Sequence, residues 1–328
     1  MNALWVIFVD TWRQSRQQVV LIVLLVLLAL MAGAWIALPR TIDGPGEPAR
    51  IGLWISEGPA DFLEELWVGT CAQARLQREG ERFDAADLLD AGRLELRLGA
   101  AKAEIRLHDT TPQPRRVVEI LFYLLAQLIF TLSMLLFIGA SAGYFPGMLE
   151  AGAIEALLAR PISRLQVFAG KYVGGLALYT VAISATYLIV FVGIGLRTGV
   201  WHTGVFFVLP LQVFTAAVLY ALLAALGVAT RNGLLCLLVG LGFYLVVDTA
   251  LATLLQLEEL GVFAESSAWG VAADVLYFGL PNFGLLKSHA CASVLAAPSV
   301  AWPPFAVAAA WLLLALAFGT WKFRRTDY

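Results

Sequence analysis

Glu150, Glu155, Arg160, Arg164 and Lys171 fall in one short stretch that separates two long apolar runs. An unpaired charge in bilayer hydrocarbon costs several kcal/mol, so this stretch reads as a surface segment facing water or a partner. It reads as a docking handle or as a cytoplasmic helical loop with no partner. Ile154, Leu157 and Leu158 offer an apolar ridge at helical spacing, and the rim charges fix register more than affinity. Asp248 is the other residue of note, a carboxylate inside an apolar run. It could contact a polar substrate group or carry a proton, or it could snorkel to the interface or bond Thr253 on its own helix.

Other chemistry finds little footing. No Ser-His-Asp or Cys-His spacing is present, and no two carboxylates or histidines share a membrane face as a hydrolase would need. His108, His202 and His289 are scattered and, although His289 lies two residues from Cys291, read as outer surface residues rather than as a metal site. Cys71 and Cys291 fall on the same predicted outer side, where a disulfide is chemically permitted. Gly170-Lys171 looks like the end of a phosphate-binding loop. Leu165 stands where the first glycine belongs, however, and Tyr172 where a magnesium-binding hydroxyl belongs.

These residues need a frame, and composition says which kind. Of 328 residues 60% are hydrophobic and 14% charged, and the mean hydropathy is +0.80, outside the range of an ordinary soluble domain. The chain reads as an integral membrane protein. A net charge of −2 and no basic tract exclude nucleic acid as a partner.

About 20 apolar residues are needed to cross a bilayer as a helix. Six runs qualify: Val19–Leu38, Val117–Ala140, Tyr172–Leu196, Val205–Val228, Gly233–Leu255 and Phe305–Trp321. The expected fold is all-α, with six transmembrane helices, an interfacial helix before them and a small α+β exoplasmic domain between the first and second. Residues 1–38 hold the interfacial helix and first span. Residues 39–116 carry more than half of the acidic residues and half of the basic ones, and form the exoplasmic domain. In it Ile51–Ser56, Leu94–Leu98 and Ala103–Leu107 are strand candidates and Asp61–Gln77 a helix candidate. Residues 117–328 hold the remaining spans, with an amphipathic re-entrant hairpin over 256–302.

Pro161 should end one helix and the Ser163/Gln166 pair should cap the next. Gly170 and Gly174 give a small-residue spacing that permits close helix contact, Pro210 should kink the fourth span, and Glu119 reads as solvated near the outer surface. Lys and Arg beside the short loops place both termini in the cytoplasm: Arg13, Arg16, Arg160, Arg164, Lys171, Arg231, Lys322, Arg324 and Arg325 fall inside, against Arg197 and Lys287 in the short outer loops. Arg40, Arg115 and Arg116 flank spans on the outer side and count against this, but they belong to a long loop, where the charge rule weakens.

A resemblance now enters. Leu149-Glu150, then Ile154-Glu155-Ala156-Leu157-Leu158-Ala159-Arg160-Pro161-Ile162-Ser163-Arg164, then Gly170-Lys171-Tyr172, resembles the hallmark loop of type-2 ABC transporter permeases. The six spans, the Leu280-Pro281-Asn282-Phe283 string and the aromatic-basic ending Trp321 to Tyr328 are similar to that family too. Ala159 departs from its frequent serine. The resemblance implies that residues 147–164 form a coupling helix docking on a separate cytoplasmic ABC ATPase, with Glu150, Ile154, Glu155, Leu157, Leu158, Arg160 and Arg164 in the contact. It also implies a second permease copy or a homologous permease, a bacterial inner membrane location, and ATP and magnesium bound by the partner, with no cofactor in this chain. Asp248 is the candidate pathway residue. Export of a substrate is the expected activity. Alternatives are a mechanotransmission permease acting on an exoplasmic partner through residues 39–116, a membrane-embedded enzyme, and a maturation permease serving a metalloenzyme.

Overall fold

The computed structural model describes residues 19–37, 39–42, 50–53, 94–98, 101–105, 113–149, 163–247, 250, 279–295 and 302–325. Its helices are α1 (Val19–Ala37), α2 (Gln113–Ser141), α3 (Tyr144–Met148), α4 (Arg164–Thr198), α5 (Val205–Thr230), α6 (Gly233–Leu241), α7 (Phe283–Ala292) and α8 (Pro303–Arg325). Strands β1 (Pro39–Ile42) and β2 (Arg50–Leu53) pair antiparallel. So do β3 (Leu94–Leu98) and β4 (Ala101–Ile105), with Leu94 opposite Ile105. The last strand starts two residues earlier than alternation suggests, at Ala101. The helix expected over Asp61–Gln77 and the interfacial helix lie outside the described residues.

Among the described residues, four stretches are long and apolar enough to cross a bilayer: Val118–Met148, Arg164–Thr198, Val205–Thr230 and Pro303–Arg325. They cover four of the six expected spans. The first expected span appears as α1. The fifth departs from a regular helix. Its α-helical part ends at Leu241, where the Gly242 N–H is shared by the Leu238 and Val239 carbonyls, and the backbone widens into a π-helical turn over Gly242–Val247.

Helix α5 is the central column, packed against α2, α3, α4, α6, α7 and α8. That position explains its composition. Ala216, Val218, Tyr220, Ala221 and Ala224 lose all contact with the surroundings, so the helix is apolar on every side. At 35 residues α4 is about 52 Å long, well beyond the roughly 30 Å of bilayer hydrocarbon, so it extends past the membrane.

Polar side chains inside the bundle are cross-linked. The Gln212 Nε2 of α5 donates to Ser133 Oγ of α2 at 2.9 Å and to Tyr179 Oη of α4 at 3.1 Å. Tyr187 Oη donates to Gln212 Oε1 at 2.7 Å, and Ser133 Oγ also reaches the Phe130 carbonyl at 3.1 Å. This neutral cluster joins α2, α4 and α5 within the spans. Asp248 lies outside the described residues.

Three surface expectations are corrected at the opposite end of the bundle from α3. Glu119 is only 9% exposed and His202 6%. Glu119 Oε1 accepts from Arg115 Nε at 3.2 Å and stands 3.7 Å from His202 Nδ1, while His202 Nε2 meets the Val294 carbonyl at 2.6 Å. The turn between α4 and α5 folds inward and takes its histidine with it. His289 is half-buried, its ring 6.4 Å from that of Phe305. Cys291 is a buried free thiol. Cys71 and His108 lie outside the described residues.

Candidate functional site

The charged stretch over 150–162 lies outside the described residues, and with it Glu150, Ile154, Glu155, Leu157, Leu158 and Arg160. What the structure describes is the mounting on either side of it. On the approach, α2 breaks at Ala142-Gly143 and α3 follows as a short helix with Tyr144, Phe145, Pro146 and Met148 buried. On the exit, Ser163 caps α4 as the spacing predicts. Its Oγ accepts from the Gln166 N–H at 3.3 Å, and Gln166 Oε1 accepts from the Ser163 N–H at 3.0 Å. Because α4 then continues unbroken to Thr198, the exit from the stretch and the third expected span are one rod.

Both sides of the mounting converge on Tyr220 of α5. The Tyr172 ring stacks on it at 5.1 Å, and Phe137, Phe145 and Tyr144 surround it at 5.3, 5.9 and 6.4 Å. Phe145 in turn contacts Phe168 at 5.0 Å, which reaches Phe323 of α8 at 6.1 Å. An unbroken aromatic train therefore joins α3, α4, α5 and α8. Close approach is permitted by glycine. A Cβ on Gly175 would lie 2.5 Å from Tyr220 Oη, and one on Gly227 would lie 3.0 Å from both Phe145 Cβ and Pro146 Cδ. Thus Gly175, next to the expected Gly170/Gly174 pair, is the glycine that receives the tyrosine.

Two further ties close this end. Arg164 Nη1 donates to the Arg324 carbonyl at 3.2 Å, joining the start of α4 to the end of α8. Lys171 is 5% exposed with its Nζ 5.7 Å from the Tyr144 ring centroid, a cation over an aromatic face. Gly170 and Lys171 lie within α4 rather than in a loop, so their likeness to a phosphate-binding loop is of sequence only. Arg231, Lys322, Arg324 and Arg325 occupy the same end, with Arg325 over the Trp321 ring at 4.8 Å.

Of the sequence-predicted site residues, Arg164 alone is among those described, and it anchors α4 to α8. The sequence reading missed the aromatic train, because Phe and Tyr inside apolar runs carry no distinguishing mark. Gln212 and Ser133 could have been found, since a carboxamide in the middle of an apolar span is as visible as Asp248.

A family model described as an ABC-2 family transporter protein matches residues 5–328. No curated protein matches the chain.

Proposed function

The chain belongs to the ABC-2 transporter family and is its membrane subunit, and we propose that it couples ATP hydrolysis on a separate subunit to export of a substrate. Permeases of this family pair with an ATPase subunit. The observation that carries the reading is the mounting of the 150–162 stretch. A segment held between α3 and α4, both wedged on Tyr220, passes any push it receives into the central column and, through Phe168 and Phe323, into α8. Close-packed interiors respond to such a push by switching between discrete arrangements rather than by yielding gradually.

In this reading residues 147–164 are the coupling helix. Glu150, Ile154, Glu155, Leu157, Leu158, Arg160 and Arg164 contact the ATPase, ATP and magnesium belong to that partner, and Asp248 faces the pathway. The six-span arrangement with both termini in the cytoplasm of a bacterial inner membrane draws support from Arg164, Arg231, Lys322, Arg324 and Arg325 gathering at one end of the bundle. Two permease chains would pair around the pathway. ATP moves them only if it binds one conformation better than the other.

The test combines one charge reversal within the stretch with one at the start of α4. Glu155→Lys with Arg164→Glu should abolish stimulation of the partner's ATP hydrolysis in reconstituted membranes while the permease remains folded. Unchanged co-purification with the ATPase and unchanged stimulation would remove the coupling assignment.

A further inference from the structure

Helix α2 is enclosed behind by α5 and flanked by α1, α6 and α7, which leaves one face open. Leu124, Gln127, Leu128, Thr131, Leu132, Leu135, Leu136 and Gly139 mark that face, each at least partly exposed at helical spacing. Almost all of it suits lipid. Thr131 satisfies its hydroxyl on the Gln127 carbonyl at 3.0 Å. Gln127 does not fit. Its Nε2 donates to Tyr123 Oη at 3.2 Å, which leaves the second N–H and the amide oxygen without a partner among the described residues.

Depth makes this costly. Gln127 lies nine residues below Val118, the start of the span, about 13 Å along the helix and close to the middle of the hydrocarbon. A lipid tail can satisfy neither free group, and water is scarce at that depth. A carboxamide is self-complementary, however: two related by a two-fold axis each donate one N–H and accept one. Interhelical bonds of this kind hold membrane helices together.

We infer that the open α2 face meets the same face of a second copy of this chain, with the two Gln127 carboxamides hydrogen-bonded to each other across the two-fold axis. The inference rests on the proposal that two permease chains pair, and adds which face and which residue. It excludes an apolar lipid as the sole occupant of that face.

Two readouts test it in native-like bilayers. With Cys71, Cys236 and Cys291 replaced, Gln127→Cys should be joined between copies by a short bifunctional methanethiosulfonate. A direct disulfide is not required, because glutamines meeting by their amides hold their Cβ atoms farther apart than a disulfide spans. Val181→Cys, on the exposed face of α4, should not be joined. Independently, Gln127→Leu should weaken self-association, followed by native mass spectrometry on dilution, about tenfold. A dimer that cross-links at Val181→Cys but not at Gln127→Cys, and that Gln127→Leu leaves unchanged, overturns the inference while the proposed transport function stands. A chain that never self-associates, or pairs only with a different permease, overturns it as well. Loss of ATPase coupling with intact Gln127 pairing would instead remove the functional proposal alone.

Discussion

Tyr172 of α4 and Tyr220 of α5 stack with their planes 11° apart, and each donates its hydroxyl to the backbone of the other's helix: Tyr172 to the Ala217 carbonyl at 2.7 Å, Tyr220 to the Lys171 carbonyl at 3.4 Å. The exchange is reciprocal but unequal. Tyr172→Phe loses the shorter bond and should cost about 1 kcal/mol, and Tyr220→Phe less. Tyr220→Ala removes the ring on which the elements flanking residues 150–162 lean, and should cost about 3–5 kcal/mol. Unfolding titrations in mixed detergent micelles measure these values; equal losses for the two phenylalanine variants would contradict the geometry.

Gly175 tests the same contact from the other side. A methyl at this position meets Tyr220 Oη, Cε1 and Cζ, at 2.5, 2.9 and 2.9 Å, so Gly175→Ala must displace the ring. We expect a loss of about 1–3 kcal/mol, partly recovered when Tyr220→Phe removes the nearest atom. If the two changes simply add, the methyl and the hydroxyl do not meet.

The polar cluster around Gln212 should show the asymmetry of buried hydrogen bonds. Gln212→Leu removes the acceptor of the Tyr187 hydroxyl and the donor to Ser133 and Tyr179, which still hold each other at 3.0 Å, and should cost about 1–3 kcal/mol. Replacing all four together, by Leu, Phe, Phe and Ala, removes the orphaned groups as well and should recover much of that loss. The comparison is made by thermal unfolding of both variants, and a quadruple variant far worse than Gln212→Leu would show the cluster to be worth more than its desolvation.

Burial raises the Cys291 thiol to about 12, with Lys287 pulling weakly the other way. The thiolate is the reactive form, so it is scarce in the folded protein at pH 7 and still scarce at pH 9. Maleimide should leave the peptide bearing Cys291 unmodified across that range and label it once the protein is unfolded in dodecyl sulfate. Peptide mass spectrometry reads the result, and labelling of the folded protein at pH 7 as fast as that of the unfolded protein would place the thiol in water.

The capping box offers a local check. Ser163→Ala removes the acceptor for the Gln166 N–H and should cost about 1 kcal/mol. The effect should be confined to the first turn of α4, seen as faster amide exchange there with the rest of the helix unchanged.

Sequence alone determined what depends on local composition. Apolar length marks α2, α4, α5 and α8 as membrane-crossing, and the Ser163/Gln166 pair marks where α4 starts, because length and capping are properties of neighbours along the chain. The order of residues from Leu149 to Tyr172 was enough to suggest the family. Only the tertiary structure decided which groups are buried and with whom. Glu119 and His202, ordinary surface residues by position, become a buried pair because the α4–α5 turn folds against α2 and the end of α7. Tyr220 becomes the hub of four elements because α5 runs through the centre of the bundle. Hydropathy is nearly uniform along a membrane helix, so it separates membrane from water but does not tell a face packed on protein from a face left to lipid; helix packing makes that distinction.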